Sequence, residues 1–151
     1  MIFLDKIMNS QSSITAFLNN EIIKNELLCQ AVLKRYETVG SYIEKLNKTA
    51  EVCIYEHDEK VKGLIYYYCN NPEQINAFIT LLIVAGSEQK KGVATNLLTE
   101  AINSMKQRGF KNCLLEVDVD NDRAIMFYQK NGFDIINEDN RNYTMQRIIK
   151  S

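Results

Sequence analysis

The feature that most constrains this chain is a strand-like run that passes through a short polar turn into an amphipathic helix. Leu82, Ile83 and Val84 end an apolar, β-branched run, and Gly92 opens the helix after the turn. The first N–H groups of a helix lack intrahelical acceptors, and the helix dipole favours negative charge at that end. The segment therefore predicts a backbone site for an anion such as pyrophosphate.

The residue types within the turn fit this prediction. Glycine lets a ligand approach the backbone closely, a small residue keeps the first helical turn uncrowded, and lysines add positive charge. The segment contains neither the G-x-x-x-x-G-K-[ST] phosphate loop nor the glycine triplet of a dinucleotide fingerprint. The alternative is an ordinary strand-to-helix turn that needs one glycine. The candidate anion-binding residues are Gln89, Lys90, Lys91, Gly92, Val93, Ala94 and Thr95.

A second segment lies downstream and carries its own motif. The strand sequence L-E-V at residues 115–117 precedes an N-x-x-A-x-x-F-Y motif that runs from Asn121 to Tyr128, and G-F follows at residues 132–133. With the Q-x-x-G-x-A motif of the turn, this order resembles the two motifs of the GCN5-related N-acetyltransferase (GNAT) superfamily. The resemblance covers residues 78–145, somewhat under half of the chain.

The resemblance implies a three-layer α/β/α fold of the GNAT type, formed by a single domain over residues 1–151. Its mixed central sheet is expected to splay between strands 4 and 5, where acyl-CoA threads the gap. The implied element order is β-α-α-β-β-β-α-β-α-β-β, and the hydrophobic patterning along the chain agrees with it.

Periodicity places the individual elements. Apolar residues recur at helical spacing from Asn25 onward, and Gly40 is expected to divide this stretch into two helices. Residues 76–85 are expected to form a strand buried on both faces, and residues 113–119 another buried strand. The charged stretch around His57 predicts a solvated turn between the two strands of a hairpin.

The resemblance also assigns roles to the candidate site residues. It implies that the backbone of Leu82, Ile83 and Val84 pairs with the pantetheine arm of the cofactor, and that Asn121 bonds the same arm. It implies that Tyr128 protonates the departing CoA thiolate, which is reasonable since the reference pKa values of tyrosine and thiols lie near 10 and 8.5. A helix N-cap is the other interpretation of Asn121, and a half-buried core aromatic is that of Tyr128.

Glu116 is the second candidate catalytic residue. It lies in an apolar strand, where burial would raise the pKa of a carboxylate towards that of a useful base. Acetyltransferases of ribosomal-protein N-termini carry their proposed base at this place, so the resemblance implies a base for the acceptor amine. A structural carboxylate is the alternative, and ordered water would then take the proton. The superfamily's other common base position, an acid on the fourth strand, has no counterpart in residues 78–83.

Composition argues against several classes of function. The net charge is -1 and no run of Lys and Arg is present, which argues against a nucleic-acid partner. The apolar runs are too short to span a bilayer, so no membrane partner is expected. The four cysteines are widely spaced and the single histidine leaves a metal site short of ligands. This pattern predicts free thiols in the cytoplasm and no metal.

We therefore expect an enzyme, an N-acetyltransferase that moves the acetyl group of its co-substrate acetyl-CoA to a primary amine by direct attack in a ternary complex. The acceptor is either a protein or peptide N-terminus or a small amine such as an amino acid, amino sugar, polyamine or aminoglycoside. A non-catalytic acyl-CoA-binding module is the alternative. The assembly stays open, with a homodimer as one option.

Overall fold

The strands of the chain form one mixed sheet. The computed structural model describes residues 2–5, 11–71 and 73–149. The strands are β1 (Ile2–Asp5), β2 (Glu51–His57), β3 (Lys60–Tyr68), β4 (Asn76–Val84), β5 (Asn112–Asp118), β6 (Asp134–Asp139) and β7 (Asn142–Ile148). Within the described residues their order in the sheet is β1-β2-β3-β4-β5-β7-β6. The pair β4–β5 is parallel, whereas β1–β2, β5–β7 and β6–β7 are antiparallel.

Helices occupy three connections along the chain. Several helices lie between β1 and β2. One long helix links β4 to β5, and one short helix links β5 to β6. A 3-10 turn, Gly86–Glu88, follows β4. The helices are α1 (Gln11–Lys24), α2 (Glu26–Arg35), α3 (Val39–Thr49), α4 (Val93–Gln107) and α5 (Asp122–Lys130).

Strands β4 and β5 pair only over a short stretch. Residues 76–78 lie opposite residues 112–114, and the register between the two strands ends there. Strand β5 continues its antiparallel pairing with β7 as far as Asp118. The expected splay between strands 4 and 5 is therefore confirmed, and with it the α/β fold with a mixed, open sheet.

Contacts between Cα atoms divide the chain into two compact units. The first unit comprises Met1–Tyr66 and Leu81–Leu97, and the second comprises Tyr67–Thr80 and Leu98–Ser151. Each unit has its own buried apolar residues. Those of the first include Leu18, Ile22, Leu46, Ile54, Leu64, Ile65 and Leu97; those of the second include Leu98, Ala101, Met105, Cys113, Leu115, Phe133 and Met145.

The segment between β1 and β2 folds into one helix more than the implied order contains, and it divides at a different residue from the one predicted. Helix α2 ends at Arg35, followed by the extended residue Tyr36, and α3 begins after Thr38. The Thr38 side chain accepts from Ser41 N–H at 3.0 Å, and the Ser41 hydroxyl oxygen accepts from Thr38 N–H at 3.2 Å. This capping box determines the start of α3. Gly40 lies inside the first turn of α3, so the prediction that it divides the helices was wrong.

Burial along the two strands of the splay also differs from the prediction. In β4, Ala77, Ile79 and Leu81 are buried, while the other face is half-buried. In β5 the buried residues alternate with Glu116 and Asp118, which are exposed. Successive side chains of a strand point to opposite faces, and one face of each strand meets the apolar core. The expectation of fully buried strands was therefore wrong for both.

Strand β6 is the outermost strand of the sheet next to β7. All six of its residues are exposed, including Ile135 and Ile136. Its register against β7 shifts between Ile135 and Asn137, which marks a β-bulge or a similar irregularity. The strand therefore contributes to the sheet by backbone pairing more than by burying side chains.

The position of the helix break can be tested with two substitutions that should change the free energy of unfolding in opposite directions. Thr38→Ala removes the N-cap and should lower the free energy of unfolding by about 1 kcal/mol. Gly40→Ala should raise it by about 0.5–1 kcal/mol, because an added Cβ would meet Thr38 Oγ1 at an ordinary van der Waals distance of 3.7 Å. Urea denaturation measures both changes. A loss of stability in Gly40→Ala would return the break to Gly40.

Candidate active site

The candidate site residues fall into two groups, one in each unit. The end of β4, the turn after it and the first residues of α4 belong to the first unit. Glu116, Asn121 and Tyr128 belong to the second unit. Both groups lie where the sequence motifs placed them, at the end of β4 and along β5 and α5.

The turn before α4 leaves helix N–H groups for a ligand. Strand β4 ends at Val84, and α4 begins at Val93. Asn96 donates its N–H to the Gly92 carbonyl at 3.0 Å. The N–H groups that precede such a bond have no acceptor within the helix, and the first two of them belong to Val93 and Ala94. This is the backbone geometry expected of an anion site.

The backbone is left-handed at two positions of the turn. The φ angles are +67° at Lys90 and +79° at Gly92. Glycine adopts this conformation readily, whereas a residue with a Cβ is strained in it. A Cβ added at Gly92 would have no heavy atom within 4 Å, so conformation rather than crowding requires glycine here. The same openness permits a ligand to approach the backbone closely.

Two hydrogen bonds fasten the turn to neighbouring strands. The Ala85 N–H donates to the Lys62 carbonyl of β3 at 2.7 Å. The Gln89 side-chain amide donates to the Val84 carbonyl at 3.2 Å. Gln89, which the motif marked as a cofactor residue, therefore also closes the turn onto the end of β4.

Sequence reasoning missed Glu88, which lies within the turn. Its side chain is only 3% exposed. One carboxylate oxygen is in short contact with His57 Nδ1, and the other accepts from Lys91 Nζ at 3.0 Å. The bond to His57, followed by that to Lys91, lowers the pKa of Glu88 below its ordinary value, although burial opposes this. The contribution of Glu88 to stability is therefore lost as pH falls through the lowered pKa.

The prediction that His57 is a solvated turn residue needs correction in one respect. The side chain of His57 is 47% exposed, as a turn residue would be, but its ring contacts the buried Glu88. The two residues are separated by 31 positions. The sequence signal that could have revealed this contact is an acidic residue, Glu88, inside a turn that was predicted to bind an anion.

Asn121 caps the helix that carries Tyr128. Its side-chain oxygen accepts from the Ala124 N–H at 3.2 Å, so the N-cap interpretation holds. The cap uses the oxygen of the amide, and the Nδ2 group would be the atom that a ligand meets. Both roles weighed for Asn121 are therefore compatible with this geometry.

Tyr128 lies two turns along α5 from Asn121, among aromatic rings. Its ring centroid is 5.2 Å from that of Phe127 and 5.4 Å from that of Phe133, both in edge-to-face arrangements. Burial, with a smaller contribution from the Cys113 thiol, raises the pKa of Tyr128 above its ordinary value. The hydroxyl is therefore protonated and able to donate a hydrogen bond at neutral and mildly alkaline pH.

Glu116 does not lie in the environment that the sequence suggested. It is exposed on β5, opposite Thr144 of β7. The prediction of a carboxylate buried in an apolar strand was wrong, because the alternation of β5 turns Glu116 away from the face that carries Leu115 and Val117. An exposed carboxylate remains accessible to a substrate.

Comparison with known proteins identifies the family of the chain. A sequence profile described as the acetyltransferase (GNAT) family matches residues 20–133. The chain belongs to this family. Over 59 residues it is 34% identical to N-alpha-acetyltransferase 30 of Schizosaccharomyces pombe, which covers 39% of this chain and 39% of the relative. Over 90 residues it is 32% identical to N-alpha-acetyltransferase 50 of Danio rerio, which covers 59% of this chain and 53% of the relative.

A solved structure supports the GNAT fold over nearly the whole chain. The N-acetyltransferase PaiA from Thermoplasma acidophilum, in complex with coenzyme A, superposes with a TM-score of 0.74 at 19% identity. The superposition covers 98% of this chain and 99% of that chain. By contrast, this chain spans only about half of the curated relatives' lengths, or less.

Two further properties of this GNAT chain concern the described residues alone. Within residues 2–5, 11–71 and 73–149, no group of three or more His, Cys, Asp and Glu side chains is placed to bind a metal ion. In the same part of the chain, no helix combines the length and apolar character that a membrane span requires.

Proposed function

We propose that this GNAT chain is an acetyl-CoA-dependent N-acetyltransferase, and that its preferred acceptor is the α-amino group of a protein or peptide N-terminus. The observation that carries the proposal is the turn before α4, in which left-handed Gly92 leads into a helix whose first N–H groups, those of Val93 and Ala94, have no acceptor within the helix. The names of the two curated relatives support N-terminal acetylation as the direction to test.

The residues present fit the pyrophosphate of acetyl-CoA. The N–H groups of Val93 and Ala94 would receive it, the helix dipole adds attraction, and Lys90 and Lys91 supply positive charge nearby. The family resemblance supports the backbone of Leu82, Ile83 and Val84 as the partner of the pantetheine arm, with Asn121 as a further donor to it. These three residues of β4 are half-buried and lie beyond the point where the pairing with β5 ends.

When bound, acetyl-CoA supplies the thioester carbonyl that a neutral amine attacks, so that a C–N bond forms and the C–S bond breaks. We propose that Tyr128 then donates a hydrogen bond to the sulfur as negative charge develops on it. Burial raises the pKa of Tyr128, which keeps this donor in place but makes complete proton transfer to a thiolate less favourable. Stabilisation of the leaving group is therefore the main role proposed for the hydroxyl.

The exposure of Glu116 bears on the choice of acceptor. Reference pKa values make about one α-amino group in ten neutral at pH 7, against roughly one lysine side chain in two thousand. An exposed carboxylate, on a chain whose fourth strand offers no acid, supports an acceptor that already has a sizeable neutral fraction. We propose Glu116 as the group that receives the remaining proton, directly or through water.

We further propose that the chain acts in the cytoplasm. None of the four cysteines forms a disulfide, and Cys113 lies buried with its pKa raised to about 12 by that burial. Buried thiols such as that of Cys113 fit a reducing environment, which supports the cytoplasm as the place of action.

Binding can be tested at Gly92. Gly92→Asp should weaken acetyl-CoA binding by at least about 100-fold in calorimetry, because a carboxylate would face the pyrophosphate with little screening. Gly92→Ala is the matched control, since it introduces the same backbone strain without charge and should lose much less affinity. Unchanged affinity in a folded Gly92→Asp protein would remove the pyrophosphate site from this turn.

Turnover can be tested at Tyr128. Tyr128→Phe retains the contacts with Phe127 and Phe133 and removes the hydroxyl, so kcat should fall by a factor of about 100 to 10,000 while the melting temperature changes little. Tyr36→Phe, on a ring that contacts Tyr42, should leave kcat unchanged. The raised pKa predicts that the wild-type rate shows no loss through tyrosine ionisation up to about pH 10. A Phe variant with wild-type kcat would make Tyr128 a core aromatic.

Acceptor preference and the base can be tested together. Short peptides with a free N-terminus should exceed N-terminally blocked lysine peptides in kcat/KM by about 100-fold or more, following the neutral fractions of the two amines. Glu116→Gln should lower kcat/KM near pH 7 and approach wild type at high pH, where solvent deprotonates the amine. Asp118→Asn, an exposed carboxylate on the same face, is the matched control.

Two outcomes would contradict this part of the proposal. A Glu116→Gln profile that matches wild type at every pH would make Glu116 structural. If no amine in a broad panel released CoA from protein that binds acetyl-CoA, the chain would be a non-catalytic acyl-CoA-binding module.

A further inference from the structure

Glu88 is out of place in a turn that attracts an anion. Among the residues whose side chains are described, it is the one charged residue that is buried. Burying a carboxylate is unfavourable unless hydrogen bonds and opposite charge compensate for the lost water. Here both oxygens have partners, one in His57 and the other in Lys91. These three residues are called the Glu88 cluster below.

The Glu88 cluster brackets the strained part of the turn. Glu88 and Lys91 lie three positions apart, and their side chains meet at 3.0 Å across Lys90. Lys90 has a φ of +67°, and Gly92 follows with +79°. A left-handed conformation at a lysine is unfavourable by itself. The ion pair that spans Lys90 therefore favours the left-handed conformation from which α4 begins.

The same cluster connects the turn to the β2–β3 hairpin. His57 is the last residue of β2, and its ring reaches the Glu88 carboxylate. On the other side of the hairpin, the Lys62 carbonyl of β3 accepts from Ala85 N–H at 2.7 Å. All of these residues belong to the first unit. The turn is thus fastened at its beginning by backbone and at its middle by the buried carboxylate.

We infer that Glu88 is a positioning residue of the acetyl-CoA site: its carboxylate, bonded to His57 and Lys91, fixes the turn in the conformation that presents the first N–H groups of α4 to the pyrophosphate. This inference rests on the proposed function. In it, Lys91 acts mainly through Glu88 rather than as a phosphate ligand.

A direct phosphate contact by Lys91 and a positioning role of Glu88 predict opposite changes in acetyl-CoA affinity, so the inference is testable. If Lys91 bound phosphate directly, neutralising Glu88 would release the Lys91 ammonium and remove a nearby negative charge, and binding would tighten. If Glu88 positions the turn, the same change loosens the turn and weakens binding. The sign of one affinity change therefore separates the two interpretations.

The experiment compares Glu88→Gln, Lys91→Met and the double variant by calorimetry with acetyl-CoA. We expect each single variant to bind on the order of tenfold more weakly, and the double variant to bind about as weakly as the singles, because both changes break the same link. Glu100→Gln, an exposed carboxylate of the same charge on α4, is the matched control and should bind like wild type.

A second measurement separates positioning from general damage. S-acetylpantetheine carries the thioester without the pyrophosphate, so its kcat/KM should stay within about twofold of wild type in Glu88→Gln, while KM for acetyl-CoA rises and kcat at saturation is retained. If Glu88→Gln does not fold, His57→Gln leaves the carboxylate and its Lys91 partner in place. This variant should weaken acetyl-CoA binding several-fold by the same route.

Each remaining outcome counts against a specific statement. Equal or tighter acetyl-CoA binding by Glu88→Gln, or by His57→Gln where the former fails to fold, overturns the positioning role and leaves the proposed function intact. Equal losses with acetyl-CoA and S-acetylpantetheine also overturn it, since they indicate general damage. If wild-type protein binds no acetyl-CoA, the proposed function fails and this inference fails with it.

Discussion

The early end of the pairing between β4 and β5 governs the arrangement of the site. Parallel strands in a continuous sheet would share hydrogen bonds along their length, but here the register stops after residues 76–78 and 112–114. Backbone N–H and C=O groups require partners, so a strand that leaves its neighbour makes its backbone available to something else. In the proposed function the pantetheine arm takes that place, and the end of β4 leads directly into the turn that would receive the pyrophosphate.

The turn itself combines two opposing demands. In the proposed function it must attract an anion, which favours lysines and helix N–H groups, and it must keep an unfavourable backbone conformation at Lys90. In the positioning role inferred for it, the buried carboxylate of Glu88 stabilises the conformation at Lys90, but its negative charge weakens the attraction for an anion. Because Glu88 is paired on both oxygens, its negative charge is largely compensated within the cluster. The backbone donors of α4 can then dominate the attraction for phosphate.

Local patterns in the sequence predicted most of what depends on neighbouring residues. The glycine turn, the amphipathic α4 and the N-cap of α5 follow from spacings of a few residues, and all are present. The capping box at Thr38 is equally local, but Gly40 was predicted to divide the helices instead. The exposure of Glu116 depends on which face of β5 meets the core, and the contact of His57 with Glu88 spans 31 positions. Neither can be derived from periodicity in a single sequence.

The irregular pairing of β6 has a consequence for the behaviour of the chain in concentrated solution. An outermost strand with exposed isoleucines is a template on which another chain can add a strand and begin to aggregate. In β6 the register shift between Ile135 and Asn137 interrupts that template, and acidic residues stand at both of its ends, at Asp134, Glu138 and Asp139. Bulges and charges are the devices by which natural sheets discourage such growth. The sheet therefore carries at this edge its own protection against continuing into a neighbouring molecule.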